Sequence, residues 1–266
     1  MSAGGPTHAL ERVEAWREAW RRSGRLVLLL DFDGTLAPIV ERPEMAAIPE
    51  ATRAALDRLL GAPGVVGAVV SGRGMADARE RAGISGIAYA GNHGMEIEGP
   101  DVHRVHPEAQ AARPQLEEVI AAVEPALAEV PGAFVEDKGL TLSIHYRLTP
   151  EDRVERVRRV VREAVEERDD LRLTEGKKVL EVRPRVEWDK GRAVLFLLGH
   201  LRPPEGAPVL YLGDDTTDED AFRALSSWPG DGEGVLVAER PPSTTAARAY
   251  VRSPEEVGAL FEALAR

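Results

Sequence analysis

No cysteine occurs in the 266 residues, which excludes a disulfide scaffold, a thiolate metal site and a cysteine nucleophile together. A basic excess is missing as well. The 34 Lys and Arg face 45 Asp and Glu, a formal net charge of −11, whereas binders of nucleic acid show the opposite balance. No apolar run approaches the ~18–20 residues that cross a bilayer; Leu26–Leu30 and Ala193–Leu198 are far too short. The opening segment has no apolar stretch of the signal-peptide kind, and Glu11, Glu14 and Glu18 are out of place in a transit peptide. Lysine is scarce, confined to positions 138, 177, 178 and 190. The composition predicts a soluble, cytoplasmic, acidic protein without a nucleic-acid or membrane partner; a monomer is expected, though nothing in the sequence sets the oligomeric state.

What is present is 43% hydrophobic residue, enough for a large core. Leu10, Val13, Trp16 and Trp20 recur at helical spacing. Leu26–Leu30 is apolar on both faces, as a central parallel strand is. A helix follows from Pro49 to Leu60, then a strand at Val65–Val70, a helix at Asp77–Ala82 and a strand at Ile87–Ala90. Beyond a turn cluster at residues 98–101 the rhythm changes. An Ala/Glu-rich segment from Glu108 to Val130, broken by Pro114 and Pro125, precedes a hairpin about Asp137-Lys138-Gly139. A charged helix over Pro150–Asp169 and a second hairpin about Gly176-Lys177 complete an α+β pattern. After Pro184 strands and helices alternate again, with helices at Lys190–Leu201, Asp218–Leu225 and Pro254–Leu264 and strands at Val209–Leu212 and Val235–Val237. The simplest architecture is α/β: a doubly wound, Rossmann-like parallel-sheet core over residues 1–100 and 186–266, with an inserted α+β domain over 101–185.

Ligands of open parallel sheets bind beyond the carboxyl ends of the strands. Three such ends carry polar groups: Asp31-Phe32-Asp33-Gly34-Thr35-Leu36, Ser71-Gly72-Arg73, and the run from Gly213-Asp214-Asp215 to Asp218-Glu219-Asp220. Carboxylates gathered there repel one another and lose hydration unless a cation sits among them. Hard oxygen donors without thiols favour Mg²⁺ over zinc. Taken singly each residue has an ordinary reading. Asp31 and Asp33 suit a turn, Ser71 a helix N-cap, Lys190 a surface position at a helix start, and Asp218 the positive end of a helix dipole. Taken together, in this order and with Lys190 between the second and third, they resemble the haloacid dehalogenase-like phosphatases.

That resemblance implies a mechanism. Asp31 attacks phosphorus and Asp33 protonates the leaving oxygen, then activates water. Ser71 and Lys190 hold the phosphoryl oxygens. Asp31, the Asp33 backbone carbonyl and Asp214 bind Mg²⁺, with Asp215 and Asp218 behind them, Asp215 supporting Lys190 or a metal-bound water. Gly34, Thr35, Gly72, Arg73, Asn92, His93 and Gly94 line the substrate side, and Gly34 allows close backbone approach.

Further segments resemble the trehalose-6-phosphate phosphatases: Trp188-Asp189-Lys190-Gly191, Ala90-Gly91-Asn92-His93-Gly94, Val135-Glu136-Asp137-Lys138-Gly139, His145-Tyr146-Arg147 and Val179-Leu180-Glu181-Val182-Arg183-Pro184. The implied substrate is a small sugar phosphate, with the insert acting as a cap that reads the distal glucose through Glu136, Lys138 and Glu181, and more weakly through Arg147 and Lys177. Alternatives stay open. Glu136 and Lys138 also suit a cross-turn ion pair, Glu181 and Arg183 a cross-strand pair, and His145 a core position. Sucrose 6-phosphate or mannosyl-3-phosphoglycerate is the alternative substrate, and a sensor that binds without turnover is a rival of another class.

Overall fold

The computed structural model describes residues 5–176 and 178–266, which form two compact units. Among the described residues, the first comprises 5–72, 76–103 and 188–266 and the second 73–75, 104–176 and 178–187.

The first unit opens with β1 (Thr7–His8) and α1 (Val13–Ser23), then alternates β2 (Leu26–Leu30), α2 (Glu50–Leu60), β3 (Val65–Val70), α3 (Met75–Ala82) and β4 (Ala88–Gly91). A hairpin of β5 (Glu96–Gly99) and β6 (Val102–Val105) follows. The second unit contains α4 (Pro107–Ala111), α5 (Arg113–Leu127), β7 (Phe134–Asp137), β8 (Leu142–His145), α6 (Glu151–Glu166), β9 (Leu171–Gly176) and β10 (Val179–Pro184). The chain then returns through α7 (Lys190–Leu201), β11 (Val209–Gly213), α8 (Asp218–Ser227), β12 (Gly232–Val237), β13 (Ala249–Val251) and α9 (Pro254–Ala265).

The large sheet has the order β1-β13-β12-β11-β2-β3-β4-β5-β6. From β1 to β4 every pairing is parallel, and β4 with β5 is antiparallel. At its centre, register places Leu30 beside Leu212 on one side and Val69 on the other. Alternation then sorts the side chains. Val27, Leu29, Ala68, Val70, Ala88, Ala90, Val209 and Tyr211 form a core with α7 and α8. Leu26, Leu28 and Leu30 point the other way and are just as completely buried. That face therefore needs cover too, and α2, packed on β3 and paired with α9, supplies it. The sheet is the doubly wound α/β core that the apolar strand pattern implies.

In the second unit the sheet order is β7-β8-β10-β9, all antiparallel. Its core joins Leu142, Ile144, Leu180 and Val182 to Leu116, Val119 and Val123 of α5 and Val154, Val157, Val161 and Val165 of α6. Among the described residues of this unit, α5 and α6 cover this one face, and alternation places Phe134, Glu136, Ser143, His145 and Glu181 on the other.

Two segments differ from expectation. The Ala/Glu-rich stretch breaks at Ala112 into α4 and α5, with Pro114 in the first turn of α5, where no amide hydrogen is required. Pro125 lies inside α5 without ending it. The cluster at residues 98–101 is the tip of the β5–β6 hairpin, turning through Asp101 at φ +58°. These short strands carry Glu96, Glu98, His103 and Arg104, so apolar runs do not announce them.

Candidate active site

The parity that sorts the core also builds the site. Val27 and Leu29 face α7 and α8, so Asp31, two residues on, falls on the same side. There α7 begins at Lys190 and α8 at Asp218. Asp31 is still tied to the sheet, its amide donating to the Leu212 carbonyl at 2.9 Å. The Lys190 ammonium donates to Asp31 Oδ1 at 2.8 Å and to Asp218 Oδ1 at 2.7 Å, all three residues being buried. Lys190 is therefore an internal cation, contrary to its single-residue reading as a surface lysine.

Asp218 is the hub. Besides Lys190, its Oδ1 accepts the Tyr211 hydroxyl at 2.6 Å, while Oδ2 accepts the backbone amides of Asp214 at 3.0 Å and Asp215 at 2.9 Å. The loop from β11 into α8 is thereby wrapped around one carboxylate. Gly213 leaves room for it, since a Cβ there would lie 2.3 Å from Asp218 Cγ. Asp215 itself is exposed and takes the Thr216 amide and hydroxyl. The support of Lys190 expected of Asp215 thus falls to Asp218, because helix α8 turns Asp218, three residues later, back toward the sheet.

Asp31, Asp214 and Asp218 each offer a carboxylate oxygen within 4.8 Å of the others. Asp218 is a poor ligand nonetheless, because a carboxylate has about four acceptor positions and all of them are occupied. Asp31 and Asp214 are the carboxylates placed to hold a cation. Burial pushes the Asp31 carboxyl well above its ordinary range; Lys190 pulls it down, and the charges of Asp218 and Asp214 push it up again. Burial opposes the charge on Lys190, yet Asp218 and Asp31 hold its pKa above the ordinary lysine value. Carboxylates gathered this closely in a buried place suit a small hard divalent cation. The donor set fits such an ion.

The other expected residues fall in several places. Gly34, at φ +82°, has Asp214 where a side chain would be: a Cβ would lie 2.2 Å from Asp214 Oδ2. Its lack of a side chain thus admits Asp214 as well as any ligand. Asp33 is half-buried and bridges to Ala37, and Thr35 is wholly buried. Ser71, also buried, continues β3 by donating its amide to the Ala90 carbonyl at 2.8 Å and accepting the His93 amide at 2.8 Å. It is not the cap of α3, which begins only at Met75. Asn92, His93 and Gly94 follow β4 at φ +50°, +57° and +89°, a left-handed run that two non-glycine residues seldom adopt. Gly72 has the His93 ring where its Cβ would be, 2.7 Å from Cε1. Arg73 groups with the second unit, where its charge acts on Glu136.

In the second unit the β7–β8–β10 register aligns Glu136, Ser143 and Glu181 in one row. Lys138 pairs with Glu181 at 3.6 Å instead of across its own turn to Glu136, and Glu136 takes His145 Nε2 at 2.6 Å. His145 is therefore a partner of the expected sugar-reading group and no part of the apolar core. Arg147 is exposed on the turn after β8, and Lys177 lies outside the described residues.

The residue of this cluster that motif reading passes over is Tyr211. Its signal was a polar tip inside an otherwise apolar central strand, which needs a buried acceptor.

A doubly wound sheet with helices on both faces, and carboxylates with a lysine at its strand ends, defines a haloacid dehalogenase-like protein. A trehalose-phosphatase family model matches residues 29–255. The trehalose-phosphate phosphatase of Mycobacterium marinum is 39% identical over 262 residues, covering 95% of this chain and 66% of that one. The probable trehalose-phosphate phosphatase 4 of Oryza sativa subsp. japonica is 39% identical over 241 residues, covering 89% and 65%. Among solved structures, the C-terminal domain of C. albicans trehalose-6-phosphate phosphatase superimposes with a TM-score of 0.79 at 26% identity, covering 100% of this chain and 99% of that one. The chain belongs to the trehalose-phosphatase family. It spans just under two thirds of the length of these two curated relatives.

Proposed function

We propose that the chain hydrolyses trehalose 6-phosphate to trehalose and inorganic phosphate with the help of Mg²⁺. The observation that carries this reading is Asp31, held by a buried lysine at the end of the central strand with Asp214 beside it. Asp31 attacks phosphorus and the sugar oxygen departs, taking a proton from Asp33, so that an aspartyl-phosphate forms. Asp33 then removes a proton from water, which displaces phosphate and restores Asp31. Ser71 and Lys190 hold the transferring phosphoryl oxygens, and Lys190 also fixes the carboxylate through Oδ1. Asp31, Asp214 and the Asp33 carbonyl would hold Mg²⁺, which when bound would supply positive charge to the phosphoryl oxygens.

The second unit, close to the insert of residues 101–185 expected from the sequence, serves as the cap that recognises the distal glucose. Glu136 and Glu181 accept from sugar hydroxyls and Lys138 donates to them, with Arg147 and Lys177 contributing at the margin. Their alignment on the face of the sheet that lacks helices supports the assignment.

Phosphate release from trehalose 6-phosphate, sucrose 6-phosphate, mannosyl-3-phosphoglycerate and glucose 6-phosphate, with and without EDTA, tests the whole reading. Trehalose 6-phosphate is expected to dominate and EDTA to silence the reaction; comparable rates on glucose 6-phosphate would refute the substrate. Asp31→Asn should cost at least ~10³-fold in kcat with the fold retained, and turnover near the parent rate would remove Asp31 from the chemistry.

A further inference from the structure

We propose that His145 is a positioning residue for substrate selection, holding Glu136 so that its second carboxylate oxygen is presented to a sugar hydroxyl. The inference deepens the recognition role proposed above and rests on it. Antiparallel register pairs Phe134 with His145 and Glu136 with Ser143. Glu136 and His145 are therefore diagonal neighbours on one face, within reach of each other's side chains. His145 Nε2 donates to Glu136 Oε2 at 2.6 Å, and the Phe134 ring stacks on the imidazole with centroids 4.5 Å apart and planes 17° apart. The imidazole is thus fixed by its strand, by the stack and by the hydrogen bond.

The consequence lies in how charges are shared. Lys138 stands near both carboxylates, pairing with Glu181 at 3.6 Å while its charge also acts on Glu136. A glutamate with three free torsions next to an ammonium would swing onto it, and the face would lose an acceptor. His145 prevents this by engaging Oε2, while Oε1 accepts no hydrogen bond from a described residue. Burial alone would raise the Glu136 carboxyl, but the His145 hydrogen bond and the charges of Lys138, His145 and Arg73 bring it below its ordinary range. The second oxygen is therefore an ionised acceptor, suited to the hydroxyls of a neutral sugar ring and repelling an anionic group placed beside it.

The test compares trehalose 6-phosphate with p-nitrophenyl phosphate, which has no distal sugar, across the parent protein, His145→Ala, His145→Gln and Phe134→Leu, with thermal melts on each. His145→Ala is expected to raise KM for trehalose 6-phosphate on the order of tenfold, as loss of a charge-assisted contact implies. Its kcat and both constants for p-nitrophenyl phosphate stay put. His145→Gln, whose amide can donate to the same oxygen, recovers most of the loss, and Phe134→Leu shows a smaller rise in the same KM. An unchanged KM in His145→Ala, equal losses on both esters, or no recovery in a folded His145→Gln would overturn the positioning role. A parent protein with no preference for trehalose 6-phosphate would overturn the functional reading, and this inference with it, before any variant is made.

Discussion

Among single residues, the carboxylate of Asp218 does more to shape the site than any other group. It is wholly buried yet fully satisfied, holding Lys190, Tyr211 and two backbone amides at once. Burial and the neighbouring carboxylates keep Tyr211 well above the ordinary phenol range, so its hydroxyl stays a donor. Tyr211→Phe should destabilise the protein by about 1–3 kcal/mol, because it leaves a buried acceptor position empty at nearly unchanged volume. It should also lower kcat more than it raises KM, since Lys190 loses a fixed anchor. Urea unfolding with steady-state kinetics checks both, and a variant matching the parent in each would show the hydroxyl to be idle. Asp31 was legible in the sequence because a charge at the end of an all-apolar strand has few inexpensive explanations. The hub was not: Asp218 meets Lys190 from 28 positions away, and only the folded sheet shows which of the acidic residues at 214–220 turns inward.

Elements set how firmly these residues are held. The Asp189 carboxylate caps α7 by accepting the Arg192 amide at 2.8 Å, and the helix it starts begins with Lys190. Asp189→Ala should cost ~1 kcal/mol in stability and lower kcat as the first turn of α7 loosens; loss of stability without loss of rate would separate the cap from the chemistry. In the second unit Arg113 of α5 grips Asp137 of β7 through both oxygens at 2.6 and 2.7 Å, and this hydrogen bonding chiefly holds the Asp137 carboxyl below its ordinary 3.8. An acid depressed on folding stabilises the native state above its unfolded pKa and loses that contribution as pH falls through the folded value. The melting temperature should therefore drop below about pH 4, and less steeply in Asp137→Asn; identical slopes would assign the acid sensitivity elsewhere. The long strands and helices were readable because apolar residues recur at periods of 2 and 3.6 over enough positions. The β5–β6 hairpin, β1 and β13 escaped for want of that signal, being short or mostly polar and held by pairing with a sheet built elsewhere in the chain.

Over the whole molecule, the two units have separate apolar cores, and this separation gives the proposed cation its sharpest test. All four tryptophans, Trp16, Trp20, Trp188 and Trp228, belong to the first unit, so their fluorescence follows the unfolding of the unit that holds Asp31 and Asp214. A ligand bound only by the folded state stabilises it by about 2.7 kcal/mol at a hundred times its Kd. Saturating Mg²⁺ should therefore raise the fluorescence-detected midpoint by several degrees, and EDTA should reverse the rise. The net charge of −11 supplies a competing cause, because any salt screens self-repulsion. Screening requires no particular carboxylate, whereas a site does. NaCl at matched ionic strength should leave most of the shift unproduced, and Asp214→Asn, nearly isosteric, should abolish the response to Mg²⁺ while keeping the response to NaCl. An Asp214→Asn protein that Mg²⁺ stabilises as much as the parent would show that the ion acts through general charge and would remove it from the strand-end carboxylates.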